Sequence, residues 1–92
     1  MKIEVSNDAL QETQESAKYY NSKEYHLGHE FLGEINKGFN AIEENPFLYS
    51  NIQGKFRRYL IDRFPFGIIK DTIYIIAIMH LKRRPNYWKK RI

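Results

Sequence analysis

Apolar and polar positions follow two different periods along this chain, and the change of period divides the chain in two. From Leu10 to Ile42 apolar residues recur every three or four positions, which is the spacing of an amphipathic α-helix. After Gly54 they stand in short, dense runs rich in aromatic and branched side chains, as is typical of β-strands. Helices followed by strands predict an α+β fold.

The first half predicts a short strand and then a first helix. Polar and apolar residues alternate over Lys2–Val5, which indicates the strand. Each of the residues Ser6–Asp8 has a short side-chain oxygen that could cap the following helix. That helix is expected to end near Asn21-Ser22. Its apolar positions are Leu10, Thr13, Ala17 and Tyr20.

A second helix is predicted from about Tyr25 to Glu44, antiparallel to the first because the link between them is short. Asn45-Pro46 ends it, since a residue before proline avoids the α region. Its apolar stripe is Leu27, Phe31, Ile35, Phe39 and Ile42. Three glycines interrupt it, of which close packing against the first helix could explain one; they are Gly28, Gly33 and Gly38.

Three strands are predicted in the second half, over Phe56–Ile61, Phe66–Lys70 and Ile73–Met79. The last is apolar on both faces, which suits a central strand covered by helices on one side and partly by something else on the other. Pro85 suits the first turn of a short final helix. The predicted fold is thus one domain over residues 1–92, with order β-α-α-β-β-β and a helical hairpin packed on a small antiparallel sheet.

Composition restricts the class of protein further. The chain has no cysteine, which excludes disulfides, a thiol nucleophile and zinc sites with sulfur ligands. No apolar run approaches the roughly 18–20 residues of a membrane span. The first residues, Met1–Val5, lack the apolar core of a signal peptide. We therefore expect a cytoplasmic protein that does not enter a membrane.

Charge is distributed unevenly. Residues 1–46 carry four Lys and nine Asp or Glu, a net charge of −5, whereas residues 47–92 carry eleven Lys or Arg and two Asp, a net charge of +9. Such a split indicates either a basic surface for an acidic partner or a solvated charged face.

The densest basic segment is the C-terminal one. Six of the ten residues from Lys82 to Arg91 are Lys or Arg, interleaved with Tyr87 and Trp88. The cations could bind phosphate while the aromatics stack on bases or fill protein pockets. Alternatively, Tyr87 and Trp88 pack on the sheet and the cations remain solvated. Neighbouring strands could bring a second basic group onto the same surface, namely Lys55, Arg57, Arg58 and Arg63.

Histidines are the other candidates for chemistry. His80 ends the predicted central strand, where it could act as an acid or base near pH 7 or serve only as a hydrogen-bonded structural residue. His26 and His29 have a spacing that can hold a metal, but no third ligand accompanies them. No metal site and no cofactor are predicted.

Several short segments also stand in a characteristic order and spacing along nearly the whole chain. They are Tyr19-Tyr20, Asn45-Pro46, Phe56–Leu60, Phe64–Phe66, Ala77–Pro85 and Tyr87-Trp88. Together they resemble the RelE/ParE superfamily of bacterial toxins. The resemblance implies a toxin of a type II toxin–antitoxin (plasmid-stabilisation-like) system, neutralised by a cognate acidic antitoxin. Without antitoxin the toxin could form a homodimer.

Two activities occur in that superfamily. RelE-type members cut messenger RNA inside the ribosome, using basic residues and a tyrosine at positions that align here with Arg58, Leu60, Gly67, Lys82 and Trp88. Leu60 and Gly67 carry no charge, and Trp88 has no hydroxyl, so proton transfer would need His80 or Tyr87. A RelE-like site would then consist of Arg58, His80, Lys82 and Tyr87.

ParE-type members bind and inhibit DNA gyrase and are not nucleases, and the missing RelE-type groups favour this branch. The residues expected to contact the target are Arg58, Arg83, Arg84, Trp88 and Arg91. Whether the chain is an enzyme stays open at this point. The alternatives are a ribosome-dependent endoribonuclease with a reduced catalytic set, and a non-toxic basic domain that binds nucleic acid or protein.

Overall fold

A helical hairpin precedes a five-stranded sheet in the computed structural model, which describes residues 2–92. The strand order in the sheet is β1-β5-β4-β3-β2. The predicted α+β class is confirmed. The elements are β1 (Glu4–Val5), α1 (Asn7–Lys23), α2 (Leu27–Glu44), β2 (Ser50–Gln53), β3 (Phe56–Leu60), β4 (Phe66–Asp71), β5 (Tyr74–His80) and a C-terminal 3₁₀ helix (Tyr87–Arg91).

Two features of the sheet go beyond the prediction. β2 is an additional edge strand, antiparallel to β3 with Ser50 opposite Arg58. Its sequence, Ser-Asn-Ile-Gln, has one apolar residue and no strand-like alternation, so its pairing with β3 makes it a strand. β1 lies parallel to β5, with Val5 opposite Ile75, while the other pairs are antiparallel. The sheet is therefore mixed.

α1 begins at a capped residue and buries a narrow, small-residue face. The Ser6 side chain accepts a hydrogen bond from the Ala9 N–H at 3.1 Å, as predicted for this cap. Ala9, Thr13 and Ala17 are buried. Leu10, which the spacing placed on the apolar stripe, is 48% exposed. The buried row contains Thr13 and Ala17 as predicted but begins at Ala9 instead of Leu10, because the small Ala9 side chain lets α1 lie close against the core.

α2 has the predicted apolar stripe and ends at Asn45, as expected before Pro46. Phe31, Ile35 and Ile42 are buried in the core between the hairpin and the sheet. The aromatic rings at one end of this core form three edge-to-face pairs at centroid distances of 4.9–5.3 Å and one tilted pair at 5.4 Å, a favourable geometry for aromatic contacts. These rings belong to Tyr20, Phe31, Phe64 and Phe66.

Two of the three glycines in α2 have a packing reason. A Cβ on Gly28 would meet the Ala17 carbonyl oxygen of α1 and lie 2.6 Å from Asn21 Cγ. A Cβ on Gly38 would lie 2.6 Å from Ile68 Cδ1 on the sheet. Gly33 faces open space. Close approach to α1 and to the sheet thus explains Gly28 and Gly38, and nothing in the structure explains Gly33.

The same substitution at two of these glycines is expected to have opposite effects. Gly33→Ala should raise the free energy of unfolding by about 0.5–1 kcal/mol, because alanine restricts the unfolded chain and meets nothing. Gly28→Ala should lower it by about 1–3 kcal/mol, because the two helices must move apart. Urea unfolding measures both, and a loss of stability for Gly33→Ala would contradict the prediction.

Both faces of β4 and β5 are covered, as the apolar pattern of β5 predicted. The hairpin covers one face, against Ile68, Ile75 and Ile78. On the other face, Trp88 packs with Ile69, Ile76, Ala77 and Met79. The C-terminal segment is therefore the second cover of the central strand. Within residues 2–92, no helix is both long and apolar enough to cross a bilayer.

One cation lies inside the fold. Lys70 on β4 is fully buried, and its ammonium group donates a hydrogen bond to the Pro46 carbonyl at 2.7 Å. Burial, together with the nearby charge of Arg57, lowers the pKa of Lys70. The bond ties the sheet to the chain just beyond the C-terminus of α2, where a positive charge is favoured by the helix dipole.

Candidate functional site

The C-terminal segment, residues 81–92, is attached to the fold at its start by backbone bonds. The Leu81 N–H donates to the Pro65 carbonyl at 2.8 Å, and the Arg83 N–H donates to the His80 carbonyl at 2.9 Å. The Lys82 N–H donates to His80 Nδ1 at 3.1 Å. The chain then turns through Asn86, which has a positive φ of 63°, into the 3₁₀ helix. Asparagine is one of the few residues that adopt this conformation readily.

Glu12 on α1 holds the rest of the segment. Its carboxylate accepts two hydrogen bonds from the Arg91 guanidinium, at 2.9 and 3.0 Å, and one from the Tyr87 hydroxyl at 2.5 Å. Arg83 adds a longer contact at 3.3 Å. The side chains of Glu12 and Arg91 are 11% and 16% exposed. Charge-assisted hydrogen bonds to a largely buried carboxylate are strong, and removal of one partner leaves the other without compensation for its burial.

The position of Glu12 follows from the short β1 strand. β1 reaches only as far as Ile75, so the edge of β5 beyond it has no neighbouring strand. Glu12 accepts the Ile78 N–H at 3.0 Å, and Arg91 donates to the Ile76 carbonyl at 3.1 Å. Side chains thus satisfy backbone groups that a longer β1 would have paired. The C-terminal segment is bound to the edge of the sheet as well as to α1.

Tyr87 is held from several sides. The guanidinium carbons of Arg83 and Arg91 lie 3.8 and 4.9 Å from the centre of its ring. Burial, reinforced by the hydrogen bond to Glu12, raises the pKa of the Tyr87 hydroxyl well above its ordinary value of 10.0. The hydroxyl proton is thus held in the hydrogen bond to Glu12.

Trp88 does not lie where a target-contacting residue would lie. It is 1% exposed, and its ring packs edge to face on Phe56 at 5.2 Å. For Trp88 the alternative interpretation, in which the aromatic residue packs on the sheet, is the one observed. The reason is that the 3₁₀ helix turns its aromatic residue onto the apolar outer face of β4 and β5. Trp88 therefore anchors the C-terminal segment to the sheet.

The four residues of the RelE-like set are not brought together. His80 lies opposite Phe66 in the sheet, with ring centres 5.0 Å apart, and Phe66 faces the helices. Arg58 lies on the other face, with its aliphatic stem against Gly67. Side chains of a sheet point to one face or the other. Since His80 is on the helix face and Arg58 is on the opposite face, the sheet lies between them. Tyr87 is bound to Glu12, and Lys82 is exposed.

Arg58 nevertheless has one unusual feature. Its Nε is buried and has no hydrogen-bond partner. A side chain at position 67 would collide with Arg58, since a Cβ there would lie 2.9 Å from Arg58 Cγ and Cδ. Gly67 therefore leaves room for the arginine stem to cross the strand.

The second basic group is mostly engaged in contacts of its own. Lys55 pairs with Asp71 at 3.2 Å, and Arg63 pairs with Glu30 at 2.7 Å. The Arg57 guanidinium donates to the Tyr49 carbonyl at 2.8 Å. Three of its four cations thus have partners of their own, which leaves Arg58, among the described residues, as the member of this group without an ionic partner.

A cleft of about 350 Å³ lies between α1 and the end of β5. His80 lines it, together with Tyr19, Tyr20 and Arg83. His26 and His29 are exposed at the start of α2, with ring centres 6.1 Å apart. Over residues 2–92, no three His, Asp or Glu side chains converge as ligands for a metal ion.

Glu12 is the site residue that sequence reasoning did not find. One signal was available, since Glu12 follows the buried Ala9 by three positions and therefore lies beside the buried row of α1. Its partners are 66 to 79 positions away in the chain. Comparisons with protein-family models, curated proteins and solved structures find no match.

Proposed function

We propose that this protein is the toxin of a type II toxin–antitoxin pair and that it acts in the ParE-like way, by binding DNA gyrase. The observation that carries the choice between binding and catalysis is the state of Tyr87. Its hydroxyl already donates its proton in a hydrogen bond to Glu12, so the one tyrosine that could replace the missing RelE-type group is not available for proton transfer. His80, the other candidate, faces away from Arg58.

The binding role is supported by the way in which the C-terminal segment is held. Glu12 and Trp88 fix it on two sides, so a partner meets a surface that is already ordered and loses little conformational entropy on binding. Arg84 is exposed on this surface, and the Arg83 side chain is 52% exposed. Arg83, Arg84 and Arg58 are the proposed contacts, while Trp88 and Arg91 position the segment.

The proposed antitoxin is an acidic segment that folds on the toxin. The charge of +9 in residues 47–92 favours such a partner, and Arg84, Lys89 and Lys90 are exposed cations that it would cover. By covering them, the antitoxin would block access of the target to the C-terminal segment.

The first test is to induce the chain in bacterial cells without antitoxin and to follow incorporation of labelled thymidine and labelled methionine over the first minutes. DNA synthesis is expected to fall first, with a DNA-damage response. If protein synthesis fell first and messenger RNA were cleaved, the endoribonuclease alternative would replace the gyrase proposal. If neither fell while folded protein accumulated, the toxin assignment would be overturned.

A double variant tests which surface is responsible. The variant that carries both Arg58→Gln and Arg84→Gln is expected to inhibit thymidine incorporation at least tenfold less than the wild type at equal protein level. The reason is that two proposed contacts are removed. The matched control is Lys18→Gln with Lys23→Gln, which removes the same charge from the exposed side of α1. Equal toxicity of the double variant and the wild type would exclude this surface.

A further inference from the structure

The Glu12 network sorts the cations of the C-terminal segment into two sets. Arg83 and Arg91 turn towards Glu12, together with Tyr87 between them. Because all three contact the same carboxylate, they share one side of the segment. Arg84, Lys89 and Lys90 are exposed and make no hydrogen bond or ion pair with Glu12. The contacts of Arg83, Tyr87 and Arg91 with Glu12 therefore hold the segment in place. Arg84, Lys89 and Lys90 take no part in those contacts.

Those three cations line one concavity of about 360 Å³. Its other lining residues are Pro85, Asn86 and Tyr87, so no acidic side chain contributes to it. Among the described residues, none of Arg84, Lys89 and Lys90 takes part in a salt bridge. Like charges around one concavity repel one another, and a bound anion would relieve that repulsion.

In the part of the chain that the structure describes, the concavity itself offers no free apolar anchor, so a protein that touches Arg84 would meet the concavity only at the polar rim of its interface. The core of a protein–protein interface is rich in aromatic and apolar anchors and poor in lysine. Here Trp88 is buried, and the ring of Tyr87 is already covered by the Arg83 guanidinium at 3.8 Å. The backbone of a nucleic acid, in contrast, requires only cations at the surface and no apolar anchor.

We infer that the concavity of Arg84, Lys89 and Lys90 binds the phosphodiester backbone of a nucleic acid, independently of sequence. Three neutralised phosphates predict a slope of about −2.7 for log K against log salt concentration on duplex DNA. Binding should therefore weaken about 40-fold between 50 and 200 mM salt. The shared ligand chemistry is the phosphodiester, whether it comes from DNA or from RNA.

The test uses the purified chain and a fluorescein-labelled 20-base-pair DNA duplex, with anisotropy titrations at 50, 100 and 200 mM KCl. A site variant carries Arg84→Gln, Lys89→Gln and Lys90→Gln. A control variant carries Lys18→Gln, Lys23→Gln and Lys37→Gln and loses the same charge from the helical hairpin. The site variant is expected to bind at least tenfold more weakly at 100 mM KCl, with a slope less negative by about 2.7. The control should keep the wild-type slope.

Two further ligands separate the possible partners. A 20-base-pair RNA duplex is expected to bind with a similar salt slope, and whichever duplex binds more tightly identifies the source of the phosphodiester. A 20-residue Glu-Ala repeat peptide is expected to bind at least tenfold more weakly than DNA at 100 mM KCl. Equal binding of the peptide would make the surface one for acidic protein and overturn the inference.

Two other results would also overturn it. One is equal loss of DNA affinity in the site and control variants, which would mean that net charge alone attracts DNA. The other is no binding by the wild type at 50 mM KCl. Circular dichroism checks that each variant is folded, which is expected because all six lysines and arginines are exposed. These measurements involve neither gyrase nor toxicity, so a failure of this inference can be distinguished from a failure of the gyrase proposal.

Discussion

Replacing Glu12 by alanine is expected to lower the free energy of unfolding by about 3–5 kcal/mol, because it removes one partner of a largely buried charged network. The Arg91 guanidinium loses two charge-assisted hydrogen bonds, and the Tyr87 hydroxyl and the Ile78 N–H each lose their acceptor. Arg83 contributes less, since its side chain is 52% exposed. For a domain of this size the midpoint of thermal unfolding should fall by about 12 °C or more.

Urea unfolding followed by circular dichroism gives the free energy, and the fluorescence of Trp88 reports on the segment itself. Trp88 is the one tryptophan of the chain, and it is buried in the wild type. In Glu12→Ala its emission is expected to shift to longer wavelength before the rest of the fold unfolds, since the C-terminal segment is then held only at its start.

Glu15→Ala is the matched control for Glu12→Ala. Glu15 lies one turn further along α1, and its carboxylate accepts a bond from the exposed Gln11 side chain at 2.9 Å. Its loss should cost less than about 0.5 kcal/mol. If Glu12→Ala were as stable as Glu15→Ala, the carboxylate would not be what fixes the C-terminal segment. Glu12→Gln should fall between them, because the amide keeps one oxygen acceptor and loses the charge.

Replacing Trp88 by alanine is expected to cost about 3–5 kcal/mol, as is usual for removing a buried aromatic side chain. The indole is 1% exposed and covers the outer face of β4 and β5, in contact with a cluster that includes Ile69 and Met79. Without it, this face of the central strands meets water, and the edge-to-face contact with Phe56 is lost. The 3₁₀ helix then has little left to pack on.

Trp88→Phe separates the structural role of this residue from a contact role. Phenylalanine keeps a ring in the cluster and should cost about 2 kcal/mol or less, whereas Tyr25→Ala, at an 84% exposed aromatic, should cost almost nothing. Both are measured by urea unfolding with circular dichroism. If folded Trp88→Phe lost toxicity completely while Trp88→Ala proved as stable as Tyr25→Ala, then Trp88 would contact the target and would not support the segment.

Local pattern was sufficient for the elements that carry a strong period of their own. α2 was predictable to its last residue, since its stripe from Leu27 to Ile42 and the Asn45-Pro46 stop act within a few residues of one another. β3, β4 and β5 were predicted to within one residue at each end, since their aromatic and branched runs favour strands without help from elsewhere. Local pattern also indicated that β5 needs a cover on its second face.

Elements with weak patterns depended on partners distant in the chain. β2 is a strand because β3 offers it an edge, and β1 could not be oriented from two residues whose partner is some 70 positions away. For the same reason the sequence showed a basic tail with two aromatics but not which side of it faces outward. A side chain's exposure depends on what lies opposite it, and periodicity inside one segment carries no information on that.

By itself the sequence therefore determined the α+β class, the helical hairpin, the central strands and the position of the basic segment, because each follows from interactions between residues close in the chain. Only the tertiary structure decided that Glu12 holds Arg91 and Tyr87, that Trp88 is buried, and that Arg84, Lys89 and Lys90 remain without acidic partners around one concavity. Those outcomes depend on α1 lying beside the open edge of β5, where a residue near the start of the chain meets its last turn.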